Sequence, residues 1–157
     1  MERLAIFADV QNIYYTTRDA FGKPFDYRSL HTTLSREAEI VCAYAYAIDR
    51  GDTQQQKFQS AMRHIGFEIK LKPFIQRADG SAKGDWDVGI TIDVLETAKD
   101  VDRVVLLSGD GDFAILLEHI ARAYSCKSTV YSVLNLTAKS LIDVATNHVA
   151  IDSSHLI

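Results

Sequence analysis

Hydrophobic and polar positions alternate in blocks along the 157-residue chain. Residues 4–8 and 104–107 are short apolar runs, dense enough to be buried strands. Residues 40–48 form a longer run rich in alanine and tyrosine. Residues 67–74 alternate instead: Ile69 and Leu71 face one way, Lys70 and Lys72 the other. That pattern predicts a half-exposed strand at a sheet edge, where lysines also discourage pairing with another chain. Between these runs the period becomes helical. Residues 12–21 predict a helix closed by Gly22 and Pro24. Asp26 is placed to cap a helix over 27–36, with Leu30 and Leu34 on one face. Asp52 or Thr53 caps the next, which runs to Ile65 and stops at Gly66. Further helices are predicted over 86–99, with Ile90, Val94 and Leu95 as its stripe, and over 113–124 and 137–146. Strands are predicted over 128–133 and, briefly, 149–151. Residues 76–84 are the one long polar, glycine-containing loop. Strands alternating with helices imply crossover connections and a mostly parallel, three-layer α/β sheet. With no linker, repeat or low-complexity segment, residues 1–157 are expected to be one domain.

The chemistry gathers where two apolar runs stop. The run at 104–107 ends in Ser108-Gly109-Asp110-Gly111-Asp112-Phe113, and the run at 4–8 ends in Asp9. In open α/β sheets the carboxyl ends of the strands are where ligands bind. Two central strands ending in aspartate would crowd acids into one crevice. Such acids either share protons or are held by a cation, of which a divalent metal is the simpler solution. A third acidic segment, Lys83-Gly84-Asp85-Trp86-Asp87-Val88, opens the helix before the 104–107 strand. Each acid also has a plain alternative. Asp9 or Asn12 can cap the first helix, Asp85 the helix at 86, and Asp112 the helix at 113. Asp110 is the hardest to explain that way, since Asp112 is already placed to cap. Asp93 follows Asp87 by six residues, about 120° away around a helix, and so does not share its face. It is expected to be partly buried and partnered, either joining the site or bracing it. Ser108 orients a carboxylate or closes the turn. Tyr14 and Tyr15 read as one or two core aromatics, with base stacking as the sharper alternative for one of them.

Composition narrows this picture. The chain is 47% hydrophobic and 24% charged, with net charge −4. That excludes a protein coating nucleic acid by bulk charge but not an enzyme whose acids bind metal. Cys42 and Cys126 have no metal or redox spacing and are expected to be buried thiols, consistent with a reducing, cytoplasmic setting. The first apolar run is too short for a secretory leader, and no stretch approaches a membrane span. Five scattered histidines show no ligand spacing. An EF-hand loop, a phosphate-binding glycine loop and a nucleophile elbow are all absent.

Three segments together, residues 7–12, residues 83–88 with Asp93, and residues 108–113, resemble the NYN domain, a branch of the PIN-like nuclease superfamily, and within it the bacterial LabA-like group. The resemblance covers nearly the whole chain. It implies a Rossmann-like, PIN-like parallel sheet with helices on both faces. It also implies that Asp9, Asp87, Asp110 and Asp112 hold one or two Mg²⁺ or Mn²⁺ ions, with Asn12 in a polar role beside them. By that analogy the activity is metal-dependent hydrolysis of RNA phosphodiester bonds. All-oxygen ligands suit such hard cations. Lys83, at the lip of the site, is the candidate for neutralising a substrate phosphate. Two other readings stand beside this one. The first is a non-catalytic regulator binding RNA or protein. The second is a phosphatase or Toprim-like phosphotransfer domain, although Toprim sites place a glutamate where this chain has Asp9. RNA versus DNA, the ion count and the oligomeric state are left open by the sequence.

Overall fold

The computed structural model describes residues 1–73, 75–76, 82–83 and 85–157. Eight strands are described. Six of them, β1 (Arg3–Asp9), β2 (Glu39–Asp49), β3 (Glu68–Pro73), β6 (Arg103–Leu107), β7 (Lys127–Ser132) and β8 (Asn147–Ala150), form one sheet in the order β3-β2-β1-β6-β7-β8. Every pairing in it is parallel. The remaining two, β4 (Ile75–Gln76) and β5 (Ala82–Lys83), pair antiparallel within the polar segment expected as a loop. The other predicted loop residues there lie outside the described part.

Strand alternation divides the core into two. Leu4, Ile6 and Ala8 of β1 and Val105 and Leu107 of β6 face one side. There they meet Ile13 of α1 (Val10–Phe21), Leu30 and Leu34 of α2 (Tyr27–Glu37) and Met62 of α3 (Thr53–Ile65). Ala5, Phe7, Val104 and Leu106 face the other side. They meet Ile90 and Val94 of α4 (Asp87–Ala98), Leu117 and Ile120 of α5 (Ala114–Tyr124) and Leu141 of α6 (Lys139–Val144). Strands covered on both faces must be apolar on both, and this explains why the 4–8 and 104–107 runs do not alternate. The layers and the sheet match the sequence expectation, and β3 is an edge strand as its pattern predicts.

Asp26 and Asp52 cap α2 and α3, accepting from the backbone N–H of Ser29 at 3.0 Å and Gln55 at 2.7 Å. Gly22 takes the left-handed conformation (φ 67°) that ends α1. One element is shorter than expected. α6 covers six residues, not the ten of 137–146, and follows a 3₁₀ turn at Leu134–Leu136. The reason is local competition for hydrogen bonds. Thr137 Oγ1 donates to the Val133 carbonyl at 2.6 Å, and the Ala138 N–H goes to the Gly109 carbonyl at 3.1 Å. The chain is thereby drawn onto the loop after β6 before it can coil.

Chain order reverses between β1 and β6, the neighbours at the centre of the sheet. Their carboxyl ends therefore open a crevice at the switch point.

Candidate functional site

Three segments deliver acids to this crevice. Asp9 is the last residue of β1 and the cap of α1, its Oδ1 accepting from the Asn12 N–H at 3.4 Å. Its Oδ2 accepts from the Ser108 hydroxyl at 3.0 Å, a contact across 99 residues of chain. The Ser108 hydroxyl oxygen in turn accepts the Asp110 N–H at 3.2 Å. The Asn12 side-chain oxygen accepts the Gly109 N–H at 2.9 Å. Asn12 and Ser108 thus tie the end of β1 to the end of β6. Opposite them, α4 begins at Asp87, whose N–H donates to Asp85 Oδ1 at 3.2 Å. Asp9, Asp85, Asp87 and Asp110 line a crevice of about 230 Å³ together with Gln11, Asn12, Tyr15 and Thr16. Asp112 is exposed and is not part of that lining. One carboxylate oxygen each from Asp87, Asp110 and Asp112 lie within 4.8 Å of one another.

Crowding and burial act on the same carboxyls. Burial pushes Asp9 up to about 6; its bonds from Ser108 and Asn12 pull the other way, and the charges of Asp110 and Asp85 push it further up. Burial also raises Asp87, followed by its hydrogen bond to Asp110 and the charges of Asp110, Asp85 and Asp9, up to about 7. A hydrogen bond between two carboxyls needs a proton between them. A cation can replace that proton, and an all-oxygen donor set fits a hard one.

The close approach of the acid loop to its support requires glycine. A Cβ on Gly109 would come within 3.0 Å of the Leu136 carbonyl oxygen, and one on Gly111 within 2.7 Å of the Ala138 Cβ.

A sequence model of the NYN domain matches residues 3–152. The chain belongs to the NYN domain family. The low amplitude and bright protein LabA of Synechococcus elongatus (strain ATCC 33912 / PCC 7942 / FACHB-805) is 31% identical over 155 residues, covering 94% of this chain and 82% of that protein. The crystal structure of VPA0982, a protein of unknown function from Vibrio parahaemolyticus RIMD 2210633, superposes with a TM-score of 0.94 at 54% identity, covering 99% of this chain and 96% of that one. The LabA-like grouping expected from the three acidic segments agrees with these findings.

Within this NYN chain, the remaining expected site residues fall in different places. Asp110 was the acid least suited to capping. In fact its Oδ1 accepts the Asp112 N–H at 2.9 Å and caps the 3₁₀ turn at Gly111–Phe113 that leads into α5. Asp112 lies inside that turn and caps nothing. The 3₁₀ turn starts at Gly111, directly after Asp110, which shifts the cap two positions early. Asp85 is not the cap of α4 either. Trp86 occupies that position without a side-chain cap, its indole N–H donating instead to the Ala47 carbonyl at 2.9 Å, and Asp85 reaches the first helical N–H from one residue further back.

Asp93 lies on another face of α4. Its Oδ2 accepts from the Tyr46 hydroxyl at 2.7 Å and the Lys70 ammonium at 2.7 Å. It fastens α4 to β2 and β3, outside the crevice. Lys72 does similar work, donating to the Asp85 carbonyl at 2.9 Å with its ammonium 4.6 Å from the Trp86 ring centroid. Of the two edge-strand lysines, Lys72 therefore holds the start of α4 and Lys70 its middle. The side chain of Lys83 lies outside the described residues. Tyr14 and Tyr15 are both exposed, at 53% and 37%, so neither is a core aromatic. Of the two thiols, Cys126 is buried and Cys42 only half so.

Sequence reasoning gave Gln11 and Thr16 no place in the site and left Asp85 open between site and cap, yet all three line the crevice. Thr16 carried a usable signal, since it follows Asn12 by four residues on α1 and shares its face; Gln11 carried none. Among the described residues no helix is long and apolar enough to cross a membrane.

Proposed function

We propose that this NYN protein is a metal-dependent ribonuclease hydrolysing RNA phosphodiester bonds in the acidic crevice. One observation carries the reading: Asp87, Asp110 and Asp112 bring carboxylate oxygens within 4.8 Å of one another at the end of a central strand. There Asp87 is protonated far more readily than an ordinary aspartate. Carboxylates held this close suit Mg²⁺ or Mn²⁺, one or two ions, with Asp87 and Asp110 as the principal ligands and Asp9 and Asp112 completing the set from either side. When bound, such an ion neutralises charge that builds on the phosphate during displacement.

The chain's own residues supply the positioning. Ser108 and the Asn12 N–H fix the Asp9 carboxylate, so it needs little reorganisation when substrate arrives. Asn12 holds the Gly109 N–H and thereby sets where Asp110 leaves β6. Lys83, on the segment leading to α4, is assigned to a substrate phosphate. Membership of the NYN family supports this reading, as does the carboxylate donor set.

The test is cleavage of end-labelled single-stranded and structured RNA with Mn²⁺, against Asp110→Asn and Asp87→Asn. Cleavage is expected from the wild type only. Cleavage persisting in both variants would place the activity elsewhere. A wild type that binds Mn²⁺ but cleaves neither RNA nor DNA supports a non-catalytic RNA- or protein-binding module. Turnover of a phosphomonoester alone supports a phosphatase.

A further inference from the structure

Beside the acidic crevice lies a second, larger recess of about 890 Å³ between α1, α3 and the segment before α2. Gln11 and Tyr15 line both, so the two are neighbours along α1. The floor of the recess is apolar, with Ile13, Ile48, Phe58 and Met62. Its rim is different. Tyr14 and Tyr15 stand exposed on α1 with ring centroids 5.3 Å apart, edge to face. The Arg18 guanidinium lies 5.3 Å and 4.9 Å from those centroids, and Arg28 faces the recess from α2. The rim carboxylates Asp26 and Asp52 are engaged as caps of α2 and α3.

Two adjacent aromatics left in water, braced by a cation and leading away from a cluster of acids, make a platform for bases beside a binder of phosphate. Gln11 to Arg18 spans about two turns of α1, roughly 10 Å, which is room for a short stretch of strand.

We propose that this recess is the track along which single-stranded nucleic acid reaches the acidic crevice. Bases stack on Tyr14 and Tyr15, Arg18 and Arg28 take backbone phosphates, and an unstacked base rests on the apolar floor. Paired bases in a duplex have no free face to offer, so the track selects single strands. The proposal rests on the nuclease reading for its direction, but its binding chemistry stands alone.

The experiment is fluorescence anisotropy in EDTA with a fluorescein-labelled 2′-O-methyl oligouridine decamer, alone and annealed to its complement. The proteins are the wild type, Tyr14→Ala/Tyr15→Ala, Tyr15→Phe, Arg18→Ala and, as control, Arg122→Ala on α5. The tyrosine double variant is expected to bind the single strand at least about tenfold more weakly. Tyr15→Phe should keep wild-type affinity, because the ring is what stacks. Arg18→Ala should lower the slope of log K against log salt by about 0.7. The control should match the wild type, and the duplex should bind more weakly than the strand. Equal binding by all variants, preference for the duplex, or no binding by the folded wild type overturns the track and returns the recess to another ligand. Parallel cleavage with Mn²⁺ separates the two readings. Undiminished cleavage in the tyrosine variant overturns the track and leaves the acidic site standing. Tyrosine-dependent binding without cleavage does the reverse.

Discussion

At the scale of single residues, the acidic crevice is a place where local stability and chemistry pull apart. Asp110 caps the turn into α5 and also contributes a charge to a crowded group. Asp110→Asn separates the two roles, since the amide oxygen can still accept the Asp112 N–H. Metal-free Asp110→Asn should melt no lower than the wild type, because a repulsive charge is removed while the cap remains. Mn²⁺ should raise the melting temperature of the wild type and not of the variant; an equal rise in both removes Asp110 from the ligand set. Asp110→Ala should instead lose about 1 kcal/mol with the cap. Gly111→Ala drives a methyl against Ala138. It should cost roughly 1–3 kcal/mol, read from denaturant midpoints. These dual roles explain what was legible in the sequence. The acids could be found, because glycine-flanked carboxylates after an apolar run are conspicuous. Which acid capped which turn could not, because that depends on whether the backbone turns after one residue or three.

At the scale of elements, the apolar runs declared the sheet. Runs without alternation pointed to strands covered on both faces, and β1 and β6 are such strands. Short polar connections were less legible. The 137–146 helix contracted to α6 because Thr137 and Ala138 make bonds to residues that are close only in the folded molecule. Asp93 was ambiguous for the same reason: its partners Tyr46 and Lys70 come from two other strands. Replacing Asp93 by alanine leaves the buried Tyr46 hydroxyl and the Lys70 ammonium without their acceptor. The variant should lose roughly 1–3 kcal/mol by urea unfolding while keeping its response to Mn²⁺. A lost Mn²⁺ response at unchanged stability would instead put Asp93 in the site.

At the scale of the whole molecule, the raised carboxyls make stability depend on pH with an unusual sign. Asp9 and Asp87 move from an ordinary 3.8 up to about 6 and about 7. The folded chain therefore holds these protons longer than the unfolded chain. Their contribution is fully present below about pH 4 and is lost as pH rises through 6–7. In EDTA, the melting temperature should fall between pH 5 and 8 more steeply than in Asp9→Asn/Asp87→Asn. An identical profile in the two proteins would show that these carboxyls titrate normally. With Mn²⁺ the trend should shrink or reverse, since cation and protons compete for the same oxygens.

The bond from Ser108 to Asp9 joins positions 99 residues apart and closes between two strands that cannot pair until an intervening crossover is complete. Asp9 is therefore far along the chain from Asp87, Asp110 and Asp112 until β1 and β6 pair. A ligand of the finished crevice is expected to meet it only after the rate-limiting step. The kinetic signature follows: Mn²⁺ should slow unfolding severalfold and leave the refolding rate nearly untouched. In a stopped-flow experiment the ion would act as a latch on the native molecule, with no part in assembling it.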